Sequence, residues 1–222
     1  MKPSSDTRSL VRWNNEMYAR YPSRNSYTHS LIGKITKKRV ELINTLTEIK
    51  EHDTVIEIGC ESGELLTRLP KAHLTVGLDI SSKALRDANV RGLENVSLIQ
   101  SDATMELPLK TGVFDVIICA DSLEHIISPE KVIERIYDIS KPDARIVFSV
   151  PNETFFSKIK TLIRWLGLSK VILKNIEEKG SGWHIHHDFN EGKLRELVSR
   201  QFRIIKVRKP YLGYVVMKVC KK

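Results

Sequence analysis

Three side chains able to bind a proton or a metal ion fall within five positions. They are Asp121, Glu124 and His125, in the run Cys119-Ala120-Asp121-Ser122-Leu123-Glu124-His125-Ile126. If a helical turn starts at Asp121, the three share one face. His125 can then act as a general base or hydrogen-bond to a substrate. Two carboxylates held close together without a cation repel, and one of them then keeps a proton at neutral pH. A divalent ion removes that conflict and lowers the pKa of an acceptor hydroxyl. A second histidine group follows at His184, His186 and His187, between Trp183 and Asp188-Phe189; without a ligand these are surface loop residues.

The stretch Thr54 to Gly63, TVIEIGCESG, is the other candidate. Val55, Ile56 and Ile58 put apolar side chains on both faces, as in an interior strand of a parallel sheet. Gly59 and Gly63 carry no Cβ, so backbone can approach a ligand there. Glu57 stands at the carboxyl end of the strand, where open α/β sheets bind ligands. About twenty residues on, the strand HLTVGLD ends in Asp79, where an acidic residue accepts the ribose hydroxyls of an adenosine-containing cofactor. A dinucleotide site would prefer G-x-G-x-x-G and a helix N-terminus free for pyrophosphate. Here Glu61 and Glu64 crowd that end with negative charge, which suits a cationic group instead.

These residues need strand ends and helices to hold them. Residues 31–50 have apolar positions at helical spacing (Ile32, Ile35, Val40, Ile43, Leu46, Ile49), predicting an amphipathic helix with a basic outer face. Strand 54–59 then leads to a helix over 63–69, and strand 73–79 to a helix from Ser81. Strand 96–100 ends at Ser101-Asp102-Ala103, and strand 114–119 at Ala120-Asp121. A helix over 129–140 leads through Lys141-Pro142-Asp143 to strand 145–150. This alternation predicts a doubly wound parallel sheet. Helix 191–200 and strands 202–208 and 213–220 close the chain, and their short Pro-Tyr-Leu-Gly link permits only an antiparallel pair.

Length and composition fit one domain with a full core, or a core plus a lid. Net charge is +9 but uneven: +6 over residues 1–50, −7 over 51–150 and +10 over 151–222. Solvated lysines account for such flanks by default, and an anionic substrate, membrane surface or nucleic acid is the functional alternative. Cys60, Cys119 and Cys220 have no metal spacing, and reduced core thiols fit a cytoplasmic setting. The start MKPSSDTRSL lacks the apolar region of a signal peptide, and no run is long enough to span a bilayer.

Glu57, Gly59, Glu61 and Gly63 resemble the first motif of the class I S-adenosylmethionine-dependent methyltransferases, E/D-x-G-x-G-x-G, in its Cys-x-x-Gly variant. The resemblance extends over residues 40–150 and 190–220. It includes Ser101-Asp102-Ala103, Leu107-Pro108-Leu109 and Phe114-Asp115-Val116-Ile117-Ile118. It implies a three-layer Rossmann-like α/β sandwich with a seven-stranded, mostly parallel sheet whose last strand is antiparallel. It also implies S-adenosylmethionine as cofactor, bound by Glu57, Gly59, Cys60, Gly63, Asp79, Ile80, Asp102, Ala103 and Ala120. Asp102 would take the adenine amino group.

The Asp121-Ser122-Leu123-Glu124-His125 run is similar to the E-x-L-E-H of quinone-precursor O-methyltransferases and the E-x-x-E-H of small-RNA 2′-O-methyltransferases. Both families use it to help bind a divalent ion. The implied ligands are Asp121, Glu124 and His125, completed by His184 or His186. The same pattern also occurs in class I enzymes of other chemistry, where the histidine orients a substrate.

Four segments follow: an N-terminal arm and helix over 1–50, read as a lid; a cofactor-binding core over 51–150; a substrate-side insertion over 151–190; and a closing helix and strand pair over 191–222. Within the insertion, residues 155–174 make a basic amphipathic helix, broken at Gly167, that serves as a lid or as a peripheral membrane anchor. The expected activity is methyl transfer to a small aromatic or lipophilic acceptor, with O-methylation favoured. The alternatives are an RNA 2′-O-methyltransferase and a cofactor-binding protein without catalysis. The intact set Glu57, Asp79 and Asp102 argues against the last, and the lack of an aromatic-interleaved basic platform argues against RNA.

Overall fold

Strands buried on both faces form the centre of the sheet, and helices cover them. A computed structural model of the chain describes residues 7–20, 31–165, 189–210 and 213–222. Its helices are α1 (Thr7–Arg20), α2 (Leu31–Thr47), α3 (Ser82–Val90), α4 (Pro129–Ile139), α5 (Glu153–Trp165) and α6 (Glu191–Val198). Its strands are β1 (Thr54–Ile58), β2 (Leu74–Asp79), β3 (Val96–Gln100), β4 (Phe114–Ala120), β5 (Ser140–Pro151), β6 (Phe202–Arg208) and β7 (Tyr214–Lys221).

The seven strands lie in the order β3-β2-β1-β4-β5-β7-β6. All neighbours are parallel except β7, which runs antiparallel to both β5 and β6. The expected sandwich and its reversed last strand are therefore present. The chain moves outward from β1 on one side and from β4 on the other, so the switch point lies between them. Ligands bind outside the carboxyl ends of the strands at such a point.

Two apolar layers hold the sheet. On one face Ile56, Ile58, Ile117, Ile146 and Phe148 pack with Val132, Ile133 and Ile136 of α4 and Leu194 and Val198 of α6. On the other, Val55, Val116, Ile118, Val147 and Val216 pack against Val40, Ile43 and Leu46 of α2. Each fully buried aliphatic side chain contributes about 1.5–3 kcal/mol relative to exposure.

Several expectations need correction. No α-helix follows the glycine turn; residues 63–69 hold only a 3-10 turn at Leu66–Arg68. Glu61 and Gly63 have φ of 48° and 73°, which a right-handed helix excludes, and Leu69 is extended as a residue before proline tends to be. Strand β5 begins at Ser140 rather than 145. Its register with β4 jumps between Phe114–Ser140 and Val116–Arg145, which absorbs Pro142, a residue with no N–H to give a ladder. The outer face of α2 is basic at Lys34, Lys37 and Lys38, but Arg39 is buried at 7% exposure. In the insertion, α5 covers Glu153–Trp165, and the rest of the expected helix with its break at Gly167 lies outside the described residues. No helix among the described residues is long and apolar enough to cross a membrane.

Candidate active site

Strands β1 and β2 bring the glycine turn and Asp79 together. Gly59 N–H and Cys60 N–H both donate to Leu78 O, at 2.7 and 3.0 Å, so the turn folds over the end of β2. Gly59 has φ of 77°, and Gly63 N–H donates to Cys60 O at 2.8 Å. One Asp79 carboxylate oxygen accepts from Glu61 N–H at 2.9 Å and the other from Ser81 N–H at 2.8 Å. Burial raises the Asp79 pKa, and these backbone donors pull it back. Ser81 caps α3 by accepting from Ala84 N–H at 3.2 Å.

Glu57 is 3% exposed, and its Oε2 has no hydrogen-bond partner among the described residues. Burial pushes its pKa up to about 8; Arg39 opposes this, while Asp79, Glu61 and Asp121 add to it. Glu61 is pushed to about 7 by burial and then by Asp79, with Arg91 opposing. A buried carboxyl with an unsatisfied oxygen suits a cationic ligand group. Asp102, past the end of β3, accepts from Thr104 N–H at 2.9 Å and Thr104 Oγ1 at 2.7 Å. Ile80 and Ala103 follow the ends of β2 and β3, and Ala120 ends β4. The expected cofactor residues thus gather along one edge of the sheet, at the carboxyl ends of β1 to β4.

The fit to an S-adenosylmethionine-type ligand is good on the residues present. A Cβ at Gly59 would lie 2.1 Å from Ser122 Oγ, so only a glycine keeps the turn against β4. Ser122 Oγ sits 3.2 Å from Ile58 O and 3.1 Å from Ala120 O, tying the ends of β1 and β4 at the switch point.

The acid cluster is built differently from the expected helical face. The turn is a 3-10 turn over Leu123–His125, and Asp121 precedes it in the left-handed region with φ of 52°. Asp121 N–H donates to Ser149 O at 2.8 Å, and its Oδ1 accepts from Ser149 Oγ at 3.1 Å. Its Oδ2 pairs with the Arg39 guanidinium. Glu124 is 2% exposed, and its Oε2 has no hydrogen-bond partner among the described residues. Burial, then the Asp121 carboxylate, push it well above the ordinary carboxylate range, as expected for crowded carboxyl groups. His125 Nε2 lies 4.0 Å from Glu124 Oε1, and the imidazole is about a quarter exposed at 27%.

The described residues by themselves do not form a metal site. Asp121 already has a cationic partner, and among the described residues no group of three His, Cys, Asp or Glu side chains is arranged to hold an ion. His184, His186 and His187 lie outside the described residues.

Two features escaped the sequence reading. Arg39 is one. It occupies a buried stripe of α2 with Thr36, Val40, Ile43, Leu46 and Thr47, and its guanidinium lies 5.0 Å from the Tyr214 ring centroid. A charged residue at an apolar-stripe position was the available signal. The other is the helical form of the N-terminal arm: α1 lies along α3 and the rim of the turn. Thr7 Oγ1 donates to Asp102 Oδ2 at 3.4 Å, and Tyr18 OH donates to Asp87 at 2.9 Å. Asn15 Oδ1 accepts from Ser81 Oγ at 2.8 Å and Lys83 N–H at 3.2 Å.

Clefts among the described residues lie on both sides of the sheet's ends. One, of about 340 Å³, lies beside Asn152, Phe155, Lys158, Asn190 and Lys209, on the carboxyl side of β5 and β6. A larger one, of about 450 Å³, lies between the ends of α4 and α6, away from the glycine turn.

A family model described as a methyltransferase domain matches residues 49–199. A ubiquinone biosynthesis O-methyltransferase of Vibrio parahaemolyticus is 31% identical over 139 residues, covering 61% of this chain and 56% of the relative. The chain thus spans about half the length of the first curated relatives it matches. In fold it is similar to the PH0226 protein of Pyrococcus horikoshii, with a TM-score of 0.69 at 20% identity, covering 93% of this chain and 99% of that one. It is also similar to the N-methyltransferase NodS of Bradyrhizobium japonicum, solved in complex with S-adenosyl-L-homocysteine, with a TM-score of 0.66 at 12% identity, covering 93% and 97%. With the matched domain spanning most of the sheet and the glycine turn at its switch point, the chain belongs to the class I S-adenosylmethionine-dependent methyltransferases.

Proposed function

We propose that this chain transfers the methyl group of S-adenosylmethionine to the oxygen of a small acceptor. The observation that carries the reading is the gathering of Glu57, Asp79 and Asp102 at the carboxyl ends of three adjacent strands, beside a glycine turn at the switch point. When bound, the cofactor supplies an electrophilic methyl group on a sulfonium. The chain supplies orientation and charge. Glu57 faces the methionine ammonium, and the buried Arg39 guanidinium, whose field reaches Glu57, takes the carboxylate. Asp79 accepts the ribose hydroxyls, and Asp102 takes the adenine amino group. Helix α1, bonded to Asp102 through Thr7, serves as a lid over this end.

His125 is the group for the acceptor hydroxyl. It is partly exposed at the same strand end and can take the proton as a general base. Oxygen as the acceptor atom is supported by the names of the curated relatives, and the cleft at Phe155, Lys158 and Lys209 offers mixed apolar and basic room for such a molecule.

A transfer assay with methyl-labelled S-adenosylmethionine over phenolic, lipid and RNA acceptors tests the proposal. Label on a phenolic hydroxyl, lost in His125→Ala, supports it. Label on RNA alone, with a steep salt dependence, would move the activity to the nucleic-acid class.

A further inference from the structure

Arg39 carries one buried cation into a group of carboxyls. It pairs with Asp121, lies against the Tyr214 ring, and its charge lowers the pKa of both Glu57 and Glu124. Helix α2 fixes its backbone, and the residue is buried at the edge of the acid cluster. Asp121 has a second anchor. Its N–H and Oδ1 are both bonded to Ser149, itself fully buried in β5. The backbone of Asp121 is therefore held whether or not Arg39 holds its side chain.

On the cofactor reading given above, on which this inference rests, the methionine carboxylate needs the same guanidinium. A second carboxylate brought to Arg39 beside Asp121 would set two anions against each other. We infer that Asp121 and the cofactor's carboxylate compete for Arg39, so that Arg39 changes partner on cofactor binding and the Asp121 carboxylate is released toward the acceptor. Arg39 is then a positioning residue as well as a ligand. It holds Asp121 back until the cofactor is in place, and acceptor chemistry at Asp121 and His125 follows in that order. No covalent step is involved.

The test is a double-mutant cycle read by calorimetric titration with S-adenosylhomocysteine. Asp121→Asn removes the competitor and should bind about fivefold tighter or more, the lower end of ordinary coupling between sites. Plain relief of repulsion on the ligand's carboxylate would tighten binding equally in an Arg39→Met background, so the cycle separates the two explanations. Arg39→Met should bind more weakly, and adding Asp121→Asn to it should give no further gain. Thermal melts of all four proteins check folding; if Arg39→Met does not fold, the single Asp121→Asn titration decides. Equal or weaker binding by Asp121→Asn overturns the competition, as does the same tightening in the Arg39→Met background. Failure of the wild type to bind the ligand overturns the cofactor reading instead.

Discussion

Gly59 and Ser122 meet across the switch point so closely that no side chain fits between them. A Cβ on Gly59 would lie 2.1 Å from Ser122 Oγ and 2.7 Å from Ser122 Cβ. The contact joins the glycine turn after β1 to the start of the acid cluster after β4. Gly59 also has φ of 77°. Gly59→Ala should therefore cost the left-handed strain, about 1–2 kcal/mol, together with the displacement of Ser122. Gly112 is the control: its φ is 63°, and an added Cβ meets nothing within 4 Å. In thermal melts Gly59→Ala should fall well below Gly112→Ala, and it alone should lose cofactor affinity.

Glu57 gives the site a pH dependence. Its carboxyl is held near 8 by burial, against an ordinary value of 4.5, with Arg39 from α2 opposing and Asp79, Glu61 and Asp121 adding. The folded state then binds one proton more than the unfolded state between those values. Stability is lost as pH rises from about 4.5 through about 8. Glu57→Gln should be more stable than the wild type at pH 8.5, by up to roughly 5 kcal/mol, and the gap should close toward pH 5. Cofactor binding should show the reverse preference. The ammonium favours ionised Glu57, so wild-type affinity should rise between pH 6 and 8, with proton release visible in calorimetry across buffers. A flat profile would remove Glu57 from the ammonium contact.

Helix α1 depends on Asn15. Its side-chain oxygen accepts from Lys83 N–H and from Ser81 Oγ, adding a partner from another helix to the N-terminus of α3. Asn15→Ala should cost about 1 kcal/mol in stability and speed tryptic cleavage at Arg8 and Arg12. Bound S-adenosylhomocysteine should slow that cleavage in the wild type. Equal cleavage with and without ligand would detach α1 from the lid role.

The strands were legible because burial on both faces leaves apolar runs, continuous in Val116–Cys119 and broken in Val55–Ile58 only by the site carboxyl Glu57. The positions of Glu57, Asp79 and Asp102 follow directly, since each stands at or just past a strand end. What local pattern could not reveal were departures set by tertiary contacts. Asp121 reads as the start of a helical turn, yet Arg39 and Ser149 hold it in a left-handed conformation. Arg39 reads as one more surface cation among Lys37 and Lys38, yet it turns inward to carboxylates far away in the chain. The segment after Gly63 has helical composition, but two left-handed residues and Pro70 leave room only for a short 3-10 turn.

If the edge formed by β1, β2 and β3 binds S-adenosylmethionine, Asp79 is the residue that holds its ribose. Its two oxygens are oriented by Glu61 N–H and Ser81 N–H, which leaves lone pairs for the ribose hydroxyls. Calorimetric titration with S-adenosylhomocysteine should give one site per wild-type chain. Asp79→Ala should weaken it by about 1–3 kcal/mol while still giving a cooperative thermal melt. No binding by the wild type, or equal affinity in a folded Asp79→Ala protein, would rule this edge out as the cofactor site.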